Sequence, residues 1–134
     1  MPFFGDKSKE HLSQAHPDLQ RLFNDVIKTY ACSVLCGHRG KEAQEAAFRD
    51  EKSRVHFPNS KHNQLPSLAV DVAPYPVDWS DTKDAMKRWY HFGGYVKGVA
   101  STMGITIRWG GDWDGDFELR DQNFNDIPHF ELVL

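Results

Sequence analysis

The sequence lacks any long apolar run. No stretch of about 18 apolar residues occurs, which excludes a membrane-spanning helix. An excess of charge of one sign is also missing: 16 Lys and Arg stand against 19 Asp and Glu, for a net charge of −3 and a pI near 6.1. With no basic field, nucleic acid is not an expected partner. Cysteine is scarce. Cys32 and Cys36 are the only two, and their CxxxC spacing is neither a redox CxxC pair nor a zinc-knuckle pattern. On a strand such residues point the same way but sit too far apart to bond, so they read as two packed thiols. The first residues, Met1 to Lys7, lack a basic flank followed by an apolar core. They therefore do not read as a secretory signal, and a cytoplasmic start is expected. Repeats, low-complexity tracts and linkers are absent. The 134 residues then read as one domain, 1–134, long enough to bury a core without disulfide staples.

What is present is a regular alternation of helical and strand patterns. Pro17 and Asp18 suit a helix start, and Leu19, Leu22, Phe23, Val26, Ile27 and Tyr30 follow at helical spacing, predicting a helix over 17–31. A short strand is expected at about 33–38. A turn with Gly37 and Gly40 follows, then a helix from Lys41 to about Asp50 with Ala43, Ala46 and Ala47 inward. Residues 51–67 read as a polar irregular loop, long enough to suggest function. Leu68 to Val72 is a strand with Asp71 on the face opposite Leu68, Val70 and Val72. Ser80 or Asp81 is expected to cap a helix running to Met103, with Trp89, Phe92, Gly93, Val96 and Ala100 in its buried stripe. Strands are expected at 105–109 and 129–133, separated by a glycine- and aspartate-rich loop. This mixture predicts an α+β fold.

Chemistry is suggested by context. Seven histidines are present, and most histidines are surface or packed residues. His62, however, lies in a polar loop, and Asp71 sits nine residues on within the apolar strand Leu-Ala-Val-Asp-Val. A carboxylate there must be paired or bind a metal. A salt bridge to Arg39 or Arg108, or a strand-end cap, is the alternative. His129 opens an apolar strand, with Asp126 three residues before it. Two histidines and one carboxylate form a catalytic zinc set that leaves the fourth position for water. Asp126 could equally be a turn residue.

Four ordered segments carry a resemblance. Gly37-His38-Arg39 with Gln44, Ser60-Lys61-His62, Ala69-Val70-Asp71 and Asp126-Ile127-Pro128-His129 resemble motifs of the zinc metallopeptidases that include D-alanyl-D-alanine carboxypeptidases and dipeptidases and the phage L-alanyl-D-glutamate endopeptidases. Ile107 to Trp113 is similar to a tryptophan-rich segment of the phage enzymes. The spacing from His62 to Asp71 is two residues longer than the family's usual seven, with the extra residues in the 63–68 loop.

The resemblance implies a small α+β domain with a short antiparallel sheet and about three helices, of the hedgehog and DD-peptidase type. It implies Zn2+ on His62, Asp71 and His129, Asp126 as general base, and Arg39 steadying an oxyanion or holding a substrate carboxylate. Ser60, Gln44, Glu131 and Trp109 would touch substrate or support the ligands, with Glu131 fixing the His129 ring or acting as the second choice of base. The implied function is that of a monomeric endolysin cutting the L-alanyl-D-glutamate bond of peptidoglycan, reaching the wall from the host cytoplasm through another protein's pore. The alternatives are a D-alanyl-D-alanine carboxypeptidase or dipeptidase, and a non-catalytic wall-binding module. Alternate carboxylates from Asp112 resemble the start of a calcium loop, but its twelfth position falls on Asn123. A solvated acidic loop is the plainer reading of Asp112–Asp121, and regulation by Ca2+ the sharper one.

Overall fold

A computed structural model describes residues 2–113 and 126–134. Its helices are α1 (Asp6–Ser13), α2 (Pro17–Val26), α3 (Lys41–Arg49) and α4 (Lys83–Thr102), with a single 3-10 turn at Lys61–Asn63. Its strands are β1 (Cys32–Cys36), β2 (Ala69–Pro74), β3 (Ile107–Gly110) and β4 (Asp126–Leu132). They form one antiparallel sheet in the order β1-β2-β4-β3. The α+β expectation holds, with one helix more than the sequence suggested.

That extra helix, α1, carries no apolar stripe, because only Ser8 and Leu12 are buried along it. Its role is to cover an edge strand. The Ser8 hydroxyl accepts the Val34 backbone N–H of β1 at 3.0 Å, satisfying a donor that the sheet leaves unpaired. Helix α2 starts as expected, with the His16 ring accepting the Asp18 N–H at 3.0 Å and Pro17 at its first position. It stops at Val26 rather than at residue 31. Tighter turns follow, with Lys28 N–H bonded to Asp25 O and Thr29 N–H to Val26 O. These keep Ile27 and Tyr30 against the core although the helix has ended.

Helix α3 corrects the assignment of its inner side. Ala43 is exposed and Ala46 and Ala47 are half-buried, while the one buried residue is the polar Gln44. The cap of α4 is neither Ser80 nor Asp81 but Thr82, whose hydroxyl accepts the Ala85 N–H at 3.2 Å. The Ser80 N–H instead closes a local turn on Asp78.

The core lies between one sheet face and helices α2 and α4. Phe130 of β4 meets Phe23 of α2 and Phe92 of α4 edge-on, at ring separations of 5.5 and 6.0 Å. Val70 pairs with Phe130 in register, so their neighbours Asp71 and His129 point to the other face. That face carries the site. Cys32 is buried and its thiol is pushed up to about 12 by burial, and both cysteines are free, as two packed thiols require.

Two close approaches need glycine. A Cβ on Gly110 would lie 1.9 Å from the Asp126 carbonyl oxygen, and the register slips here so that Gly110 faces Asp126 while Trp109 faces Phe130. Pro128 sits inside this bulge, where a missing N–H costs no ladder bond. A Cβ on Gly93 would lie 2.2 Å from Trp109 Cζ2, whereas one on Gly94 meets nothing within 4 Å. Urea unfolding is therefore expected to show Gly93→Ala destabilised by about 1–3 kcal/mol through overpacking. Gly94→Ala, next to it, should be stabilised by up to about 1 kcal/mol through helix propensity.

Candidate active site

Three segments meet on the polar face of the sheet. Asp71 is supplied by central strand β2 and lies directly opposite His129 of β4. His62 comes from the 3-10 turn, which Ser60 caps by accepting the His62 N–H while Asn63 Oδ1 accepts the Ser60 N–H. His62 Nε2 lies 3.2 Å from Asp71 Oδ1, and His129 Nδ1 lies 3.6 Å from the same oxygen. One donor atom from each of the three residues falls within 4.8 Å of the others. A tetrahedral ion with bonds of about 2.0–2.1 Å holds its ligands about 3.3 Å apart, so the set suits a divalent metal.

The outward nitrogens are already committed. His62 Nδ1 lies 2.8 Å from the Gly37 carbonyl, and His129 Nε2 lies 2.8 Å from Glu131 Oε1. N–H groups at those positions leave His62 Nε2 and His129 Nδ1 facing Asp71, where a ring nitrogen can carry a proton toward the carboxylate or, once that proton is lost, offer a lone pair to an ion. Glu131 is held in turn by Lys61 at 3.2 Å and Arg108 at 3.6 Å. Glu131 therefore supports a ring rather than facing the centre of the site, and of the two arginines weighed for Asp71, Arg108 goes to Glu131.

Arg39 goes to Asp71. Its Nη2 donates to Asp71 Oδ2 at 3.4 Å and its Nη1 to Gln44 Oε1 at 3.0 Å. The Gln44 amide nitrogen donates to Ser53 Oγ and the Val55 carbonyl, both at 2.8 Å. Asn63 joins the Arg39 carbonyl to Gln44 Oε1, at 2.9 and 3.2 Å. The buried Gln44 is thus the post on which the guanidinium is oriented. Asn63 was missed from the sequence. Its only signal is its place three residues after the cap serine, where a capping box more often carries Glu or Gln.

Asp126 sits at the rim, with Oδ2 3.7 Å from His129 Nδ1 and its side chain 24% exposed. Burial, and then the like charge of Asp71, push its carboxyl up to about 6. Burial also works against charge on His62, but the Asp71 carboxylate outweighs it and raises the ring to about 10. For Asp71, burial favours the neutral acid, yet the two imidazoles hold it far below the usual carboxylate range.

Trp109 is buried away from the rim. It donates its indole N–H to the Ile127 carbonyl at 2.7 Å, which anchors the strand between Asp126 and Pro128. Trp113 approaches the His129 ring at 5.2 Å. Most of the Asp112–Asp121 loop lies outside the described residues. Within the described part, Asp112 is buried and paired with Lys97 at 2.9 Å.

Two clefts flank the site. One of about 690 Å³ is bounded by Leu35, Met86, Trp79, Trp89 and Pro128. The other, about 420 Å³, is bounded by Arg54, Asn59, Lys61 and Trp113. Arg39, Lys52 and Asp126 line both.

A small α+β domain with a His-Asp-His cluster, a rim carboxylate of raised pKa and two clefts that share Arg39, Lys52 and Asp126 has the makings of a metallopeptidase. The chain belongs to the phage L-alanyl-D-glutamate peptidase family, whose model matches residues 1–133. Among solved structures, the crystal structure of Serratia marcescens L-Ala D-Glu endopeptidase ChiX is similar, with a TM-score of 0.73 and 28% identity, covering 98% of this chain and 91% of that one. No curated protein matches the chain.

A metal ion bound to these donor atoms would compete with protons for them. Near neutral pH the metal-free His62 is protonated, so an ion must displace that proton. Calorimetry in buffers of different ionisation heat is expected to show at least one proton released per ion at pH 7. Affinity should rise about tenfold per pH unit for each proton displaced, up to the His62 pKa of about 10.

Proposed function

We propose that this L-alanyl-D-glutamate peptidase works on peptidoglycan stem peptides with Zn2+ held by His62, Asp71 and His129, and with Asp126 as the proton-transfer group. The observation that carries the reading is the convergence of those three donor atoms within 4.8 Å beside the partly buried Asp126. The donor set of two imidazoles and one carboxylate is typical of hydrolytic zinc, with room left for water. Zinc supplies Lewis acidity, which polarises the scissile carbonyl and lowers the pKa of an attacking water.

The protein does the rest. Asp126, as a carboxylate, takes the proton from water as its oxygen adds to the L-alanyl carbonyl carbon. The C–N bond then breaks, and Asp126 returns the proton to the leaving D-glutamyl nitrogen. Arg39, steered by Gln44, puts a fixed positive charge beside the developing oxyanion. Glu131 and the Gly37 carbonyl hold the two rings still. In a phage this activity would serve host lysis, and an enzyme that accumulates in the cytoplasm would need a separate pore protein to reach the wall.

Digestion of purified peptidoglycan by the zinc-loaded enzyme, followed by mass spectrometry, is expected to yield new N-terminal D-glutamate ends. Release of free D-alanine would instead establish a carboxypeptidase. Asp126→Asn should lower turnover by about 10²–10⁴ while keeping one zinc per chain by elemental analysis. Undiminished turnover would remove Asp126 from the mechanism. Below its pKa Asp126 is protonated and cannot accept the proton, so kcat/KM should fall on acidification. Its own carboxyl titrates at about 6, and a nearby cation draws that value down, so the acid limb should lie at or below that pH.

A further inference from the structure

The two clefts differ in chemistry, and the substrate differs in the same sense on the two sides of its scissile bond. Peptidoglycan carries the stem peptide on the lactyl group of a muramoyl sugar, so the L-alanyl side leads to uncharged amide and sugar. D-Glutamate carries the chain onward through its side-chain carboxyl, which leaves its α-carboxylate free on the carbon next to the leaving nitrogen.

The larger cleft is aromatic. Trp79 is 66% exposed and is braced from below by the buried Trp89, at a ring separation of 5.0 Å. Trp89 is itself fixed by an indole N–H bond to the Asp78 carbonyl at 2.9 Å. A rigid, exposed indole beside a catalytic groove offers an apolar face without the entropy loss of a mobile one. Glu51 also lines this cleft and would repel a carboxylate.

The smaller cleft carries an excess of cations, with Arg39, Lys52, Arg54 and Lys61 against Asp126 and Glu131. Helix α3 ends in a left-handed Glu51, φ 62°, and the Lys52 N–H bonds back to the Ala47 carbonyl at 2.8 Å. This turn sets Lys52 where the two clefts meet, with the exposed Arg54 beyond it. Lys61, paired with Glu131 at 3.2 Å, lines the same cleft.

We infer that the groove reads the substrate in one direction: the muramoyl sugar stacks on Trp79 in the aromatic cleft, and Lys52 and Arg54 receive the D-glutamate α-carboxylate in the cationic one. The inference rests on the reaction proposed above and adds its polarity and its specificity residues.

The test uses the metal-loaded enzyme with three substrates: a disaccharide-linked stem peptide, the free stem peptide, and the free peptide with the α-carboxylate replaced by a carboxamide. Trp79→Ala is expected to raise KM for the sugar-linked substrate about tenfold more than for the free peptide, and Trp79→Phe to recover most of that difference. Wild type should prefer carboxylate to carboxamide about tenfold, and the Lys52→Gln, Arg54→Gln double variant should lose that preference. Equal KM changes on both substrates for Trp79→Ala, or a preference surviving in the double variant, would overturn the assignment. A wild type that cuts none of the three would instead overturn the reaction on which it rests.

Discussion

A carboxylate in the middle of a sheet constrains everything around it. Asp71 lies on central strand β2, between Cys36 of β1 and His129 of β4. Removing such a charge from water costs on the order of several kcal/mol even after relaxation, so it persists only with partners on every open side. His62, His129 and Arg39 are those partners, at 3.2, 3.6 and 3.4 Å. In the metal-free protein the Asp71 carboxylate favours the charged form of both imidazoles. With an ion bound, the same oxygen and the same two rings would become its ligands. One set of groups thereby serves folding and chemistry, with protons and metal as alternative counter-charges.

The layer outside the three residues gives the arrangement its fixed geometry. Each imidazole is gripped from behind, by the Gly37 carbonyl or by Glu131, and Glu131 is gripped by two cations. Arg39 stands on Gln44, which is fixed by Ser53 and Val55. The bulge at Gly110 and Pro128, pinned by the Trp109 indole, sets Asp126 at the rim beside His129. Such outer contacts decide whether ligands are merely near one another or are held at distances a metal accepts.

Much of this was legible from residue patterns. Asp71 stood out because an ionised residue interrupted an apolar strand, and His129 because it stood at the head of an apolar run, although the strand itself starts earlier, at Asp126. Helices α2 and α4 declared themselves through apolar spacing that survives in the packed structure. Helix α1 did not, because its contribution is one serine hydroxyl on an edge strand, and period-based reading registers apolar stripes only. Gln44 was named from its motif, but its burial was assigned to the alanines around it. Composition cannot distinguish a polar residue facing solvent from one buried at the centre of a hydrogen-bond network. The α4 cap fell on Thr82 rather than its neighbours because three consecutive capable residues give no local basis for choice, and the Asp78 turn decides it.

By itself the sequence determined the fold class, the order of elements from α2 onward and two of the three converging residues, Asp71 and His129, because each depends on local periodicity or on a polar residue in an apolar setting; His62, in a polar loop, was legible only through its motif. Only the tertiary structure decided which arginine meets Asp71, which nitrogen of each histidine faces it, that Glu131 supports a ring rather than facing the centre, and that an aromatic and a cationic cleft meet at Arg39 and Asp126. These are relations between residues far apart in the chain. They are set by strand register, a bulge and the rotamers that packing allows, and no short stretch of sequence encodes any of them.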